Sequence, residues 1–84
     1  MPYISPEARE RLASQTQFPS INNAGSLNFL ICKLILHYLE GKENVNYQDF
    51  NDILGALEGA KQEIYRRLIQ PYEEKKISEN GDIF

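Results

Sequence analysis

Cysteine is almost missing from this 84-residue chain: Cys32 stands alone, and tryptophan is absent altogether. A single thiol excludes an internal disulfide framework and any thiolate-rich metal site. Histidine is equally scarce, with His37 its one representative. No apolar run approaches the roughly 18 residues needed to span a bilayer. The opening Met1-Pro2-Tyr3-Ile4 has neither the basic segment nor the apolar stretch of a signal peptide. Positive charge is also short, with nine Lys and Arg against twelve Asp and Glu, a net charge of −3. Together with a pI near 5.0, this argues against DNA or RNA as a partner. These absences describe a small, soluble, cytoplasmic protein that attaches to no membrane.

What is present is apolar surface, at 42 % of residues. The length fits one domain, residues 1–84. A domain of this size buries only about 60–65 % of the surface its unfolded chain exposes, so its private core is marginal. Charge is unevenly placed: residues 1–42 carry +1 and residues 43–84 carry −4. Neither half holds a block of like charge, and there is no internal repeat or low-complexity tract.

The pattern along the chain is all-α. Ser5-Pro6-Glu7 is a helix entry, with a capping serine, a proline suited to the first position and an acid at the positive helix end. That helix is expected to reach Ala13. Residues 14–26 are polar, contain Pro19, Asn22, Asn23 and Gly25, and read as a loop with Phe18 and Ile21 as anchors. A second helix is expected over 27–40, capped by Ser26 and stopped by Gly41. Leu27, Leu30, Ile31, Leu34, Ile35 and Tyr38 share one broad face of it. Phe29, Cys32, Leu36 and Leu39 cover most of the rest, leaving Lys33, His37 and Glu40 as a polar stripe. A helix apolar nearly all round is packed from several sides.

A third helix is expected over 47–70, entered through Asn46 with Asp49 at its third position. Its apolar stripe runs through Phe50, Ile53, Leu54, Leu57, Ala60, Ile64 and Leu68. At about 36 Å it overhangs the second helix, which spans about 21 Å. The two form an antiparallel hairpin across the turn 41–45. Pro71 ends or kinks the third helix. A last segment runs from Tyr72 to about Glu79, with a short tail at 80–84. A marginal core, an all-round apolar helix and an overhanging one are satisfied together if two hairpins complete a four-helix bundle by dimerisation.

Several segments carry a resemblance. Pro2-Tyr3-Ile4 is followed by the charged helix 7–11. Asn46-Tyr47 opens the long helix, which continues through Gly55-Ala56-Leu57-Glu58 and Glu63-Ile64-Tyr65-Arg66-Arg67. Pro71-Tyr72-Glu73 and Glu79-Asn80-Gly81-Asp82 close the chain. With these segments the chain resembles a family of small uncharacterised proteins of bacteria and bacteriophages, classed as a domain of unknown function. The resemblance covers most of the chain outside 14–26, and it implies no particular mechanism.

Chemistry finds little footing. Cys32 lies in the apolar part of its helix, and His37, five positions on, shares a stripe with Lys33 and Glu40 instead. One histidine with Glu40 three residues later is too little for a metal. Nucleotide hydrolases of the all-α type hold metal with carboxylates on two facing helices. Here the second helix offers Glu40, and the third offers Asp52, Glu58 and Glu63 in different directions. No catalytic residue, metal or cofactor is expected.

Two features of the third helix stand out. Lys61 falls inside the apolar stripe, where it pairs with Glu58 as a snorkelling cation or lines an anion pocket. Asp52, Gly55, Gly59, Gln62 and Arg66 share the opposite face. An interior helix glycine costs roughly 1 kcal/mol against alanine, so Gly55 and Gly59 imply close approach of a partner or ligand. Arg66 and Arg67 lie in the last turns of the helix near Glu63, Glu73 and Glu74, so local ion pairing is the first reading; with Tyr65 and Tyr72 they also supply planar cations beside aromatic rings. Arg66 and Arg67 lie about 100° apart on the helix, which predicts one paired to a carboxylate and one, Arg66, left to a partner. The expected binding set is Lys61, Tyr65, Arg66, Arg67 and Tyr72. The expected interface is Gly55, Gly59, Leu36, Leu39 and Leu68. The leading expectation is a phage-related or bacterial accessory protein that self-associates and acts by protein–protein contact. An interfacial site for an anionic nucleotide comes second, and a metal-dependent nucleotide hydrolase third.

Overall fold

The computed structural model describes residues 3–84. The fold is all-helical: α1 over Pro6–Gln15, α2 over Ala24–Glu40, α3 over Tyr47–Ile64, a π turn over Tyr65–Ile69 and α4 over Gln70–Asn80. The last three follow one another without a break, so the described residues form three helical stretches and the third is the longest. Two compact units divide the chain, the first ending at Asn46 and the second spanning Tyr47–Phe84.

In the first unit, α1 begins as its sequence predicts. Ser5 Oγ accepts the Ala8 N–H at 3.1 Å, and Pro6 occupies the first turn, where a missing N–H costs nothing. The helix ends at Gln15, past the expected Ala13. Its last carbonyls find side-chain donors: Ser14 Oγ donates to Arg11 O at 2.8 Å and Thr16 Oγ1 to Leu12 O at 2.6 Å. Bonds of this kind satisfy the groups a helix end leaves open. The following connection is therefore residues 16–23, shorter than expected. Phe18 and Ile21, the expected anchors, are both exposed within it.

Helix α2 starts three residues before the expected Leu27. Its cap is Asn23, not Ser26: Asn23 Oδ1 accepts the Ser26 N–H at 2.8 Å. Asparagine is as good a cap as serine, and Gly25 is tolerated in the first turn, where few intrahelical bonds depend on it. The stop at Glu40, with Gly41 following, is as expected.

In the second unit, α3 starts at Tyr47 as predicted. Pro71 does not stop the helix. The backbone changes register ahead of it, and the Gln70 N–H reaches back five residues to Tyr65 O. A π turn carries one extra residue within a continuous helix. It puts Pro71 in the first turn of α4, the place where proline is tolerated. Helix α4 ends at Gly81, whose φ of 88° lies in the region where a side chain is strained. The Gly81 N–H closes the helix on Ile77 O at 2.8 Å.

No apolar side chain is buried among the described residues. In α2, Leu30, Ile31, Ile35 and Leu39 are half-buried, whereas Leu27, Phe29, Leu34, Leu36 and Tyr38 are exposed. No residue of α2 is buried, although its sequence predicts a helix packed on several sides. The accessible surface is 7754 Å². Size scaling gives about 5,100 Å² for a folded monomer of this mass and about 14,000 Å² for its unfolded chain. Less than half of the surface is removed from water.

Candidate functional site

The residues singled out for binding cluster where α3 passes through the π turn into α4. Glu63, in the last turn of α3, is the hub. Arg67 Nε donates to Glu63 Oε2 at 2.7 Å. Arg66 Nη2 lies 3.2 Å from both oxygens of the same carboxylate. Arg66 and Arg67 are three and four residues on, the spacings that neighbour each other on a helix. Both therefore reach Glu63, whereas Arg66 was expected to be left to a partner. Their pairings differ in quality. Arg67 makes a short charge-assisted bond, while Arg66 shares one nitrogen between two longer ones. The Glu63 side chain keeps only 22 % of its exposure, against 61 % for Arg66 and 67 % for Arg67.

Beside this cluster, the Tyr65 hydroxyl donates to Glu73 Oε2, eight residues on, at 3.2 Å. The negative charge of Glu73, and then the hydrogen bond itself, raise the Tyr65 phenol above its ordinary pKa. Lys76 Nζ sits 5.6 Å from the centroid of the Tyr72 ring and 3.5 Å from Glu79 Oε2. Tyr72 thus already has a cation on its face. Lys61 is solvent-exposed and lies 3.9 Å from Glu58 Oε1, the pairing its position predicted.

The expected interface residues fall in different settings. Gly55 has no atom within 4 Å of where a Cβ would stand. Gly59, one turn later, is buried. Leu36 and Leu68 are exposed, and Leu39 is half-buried. The polar stripe of α2 is solvated as expected, with His37 Nδ1 3.7 Å from Glu40 Oε2. Cys32 is a free, exposed thiol.

Two features escaped the sequence. Asp49 is the one buried charged residue among those described; its place in the first turn of α3, where the helix dipole favours an acid, was the available signal. The Tyr65–Glu73 contact depends on the π turn, which spacing alone does not announce. Among the described residues, no three His, Cys, Asp or Glu side chains gather as a metal site would require. Among the same residues, no helix is long and apolar enough to cross a membrane.

No curated protein and no solved structure matches the chain. A family match does exist and extends over residues 1–83, including the stretch 14–26 that the resemblance left out. The chain belongs to the family described as a domain of unknown function, DUF6899.

Proposed function

We propose that this protein is a self-associating helical accessory protein, of bacterial or bacteriophage origin, that acts by protein–protein contact and performs no catalysis of its own. The observation that carries this reading is the uncovered surface. In the first unit, Leu27, Phe29, Leu34, Leu36 and Tyr38 are exposed, and in the second Phe50, Leu54, Ile64 and Leu68 are exposed. Large apolar side chains open to water in this number favour association. Burial at about 25 cal/mol per Å² is the main force that could offset chain entropy in so small a protein.

The anion-binding alternative draws less support from the geometry. The guanidinium groups of Arg66 and Arg67 share the Glu63 carboxylate, and Tyr65 points its hydroxyl at Glu73. An incoming phosphate would have to displace these partners. Sedimentation equilibrium at micromolar concentration tests the reading: a dimer or higher oligomer is expected. The mass of a single 9.7 kDa chain across that range would overturn it.

A further inference from the structure

Within the second unit, Phe50, Leu54, Leu57, Lys61, Ile64 and Leu68 follow one another at alternating intervals of four and three residues, the repeat of a coiled-coil seam. On the helix all six fall within about 40° of one line, which runs along α3 and into the π turn. The five apolar members are exposed. Lys61 is the single charge in the seam. Its side chain is 74 % exposed, and its Nζ lies 3.9 Å from Oε1 of Glu58, which flanks the same stripe.

A lone lysine at a seam position costs stability and fixes register and direction. It asks two things of the facing helix: an apolar side chain against its stem and a carboxylate beside its ammonium group. The same stripe run antiparallel supplies both. With the two-fold axis at the level of residue 59, Lys61 faces Leu57 of a second copy, Leu54 faces Ile64 and Phe50 faces Leu68. Glu58 of that copy then stands about 1.5 Å from the level of Lys61 along the axis, on the flank toward which Lys61 already leans. Each ammonium group sits between two carboxylates, its own chain's and the copy's. The exchange is reciprocal, residue i meeting j and j meeting i, as a two-fold contact requires.

Other pairings of the stripe lose this match. A parallel pair sets Lys61 against Lys61. An antiparallel slip of one heptad carries the facing Glu58 about 10 Å away. Both leave a cation in the seam without its counter-charge from the other helix. This charge complementarity argues for a second copy as occupant. We infer that the Phe50–Leu54–Leu57–Lys61–Ile64–Leu68 stripe of the long helix is the two-fold contact of an antiparallel homodimer, locked at its centre by Lys61 and Glu58 of both chains. This inference rests on the self-association proposed above and adds its face, register and direction.

Charge reversal in the full chain tests it. Lys61→Glu and Glu58→Lys are each expected to weaken self-association at least about tenfold, because like charges then face each other across the axis. Mixing the two variants is expected to restore a dimer with one chain of each kind, which an ion pair confined to one chain does not do. Direction is read with cysteines on a Cys32→Ser background under mild oxidation. Leu54→Cys chains are expected to form a disulfide with Ile64→Cys chains and not with themselves, since two copies of position 54 lie about 15 Å apart along an antiparallel pair. A wild-type mass of 9.7 kDa throughout the micromolar range removes both the self-association and this contact. An oligomer that neither charge reversal weakens keeps the self-association and overturns the face. A disulfide between two Leu54→Cys chains overturns the antiparallel direction.

Discussion

The hydroxyl of Tyr65 donates to Glu73 Oε2 across eight residues. In an uninterrupted α-helix these positions lie about 80° out of phase. The extra residue of the π turn removes that offset, so Glu73 takes the place that a residue seven positions on would hold. The contact is a direct readout of the backbone irregularity between them.

Its titration follows. Glu73 raises the Tyr65 pKa, so the folded state holds the phenol proton more tightly than the unfolded chain does. The stabilisation is fully present below the ordinary tyrosine value of about 10 and disappears as pH rises through the raised value. Ultraviolet difference titration of the wild type against Tyr65→Phe isolates this residue from the other four tyrosines. Glu73→Gln is expected to lower the Tyr65 pKa toward about 10. An unchanged value would mean the contact is not populated.

Arg66 and Arg67 share one carboxylate with unequal bonds, which separates their roles. Exposed ion pairs contribute about 0–1 kcal/mol. Arg66→Ala is therefore expected to leave the melting temperature nearly unchanged. Arg67→Ala is expected to cost more, and Glu63→Gln at least as much as either arginine change. Thermal melts of the three variants check this order; a larger loss from Arg66→Ala than from Arg67→Ala reverses the assignment.

The two interior glycines of α3 make opposite predictions. Nothing stands within 4 Å of a Cβ at Gly55, so Gly55→Ala is expected to stabilise the helix by about 0.5–1 kcal/mol. Gly59 is buried, and Gly59→Leu is expected to lower the melting temperature or change the oligomer mass. If Gly55→Ala instead lowers the mass measured by sedimentation, the space beside Gly55 is filled by another chain.

The start of α2 can be checked through its cap. Asn23→Ala is expected to cost about 1 kcal/mol, while Ser26→Ala, inside the first turn, is expected to cost little. Equal losses would return the cap to Ser26.

The all-α class was legible because α2 and α3 have long apolar periodicity and because Ser5-Pro6, Gly41 and Gly81 punctuate the chain in ways with few readings. The beginning of α2 was less legible. Asn23 and Ser26 are both good caps, and only the backbone decides between them. At the far end, Pro71 announces an irregularity without naming its kind: a stop, a kink and a π turn all accommodate a missing N–H. The site shared this limit. Lys61–Glu58 was visible from spacing, since it needs only a regular helix. The joint pairing of Arg66 and Arg67 with Glu63 was not, because the wheel separates the two arginines while their long side chains close that angle.

The π turn also has a meaning for how this helix could change length. A residue removed elsewhere in α3 or α4 would rotate everything beyond it by about 100°, carrying Tyr72 and Ile77 to another side. A residue removed within Tyr65–Ile69 would take out the surplus one and leave the downstream face aligned with the upstream face. Such a deletion would return Pro71 to the interior of an α-helix, where it costs about 3 kcal/mol. Shortening at this point is therefore tolerated only together with loss of the proline. Length variation among natural versions of this chain is expected to appear at 65–69, and the shorter forms to lack proline at the position of Pro71.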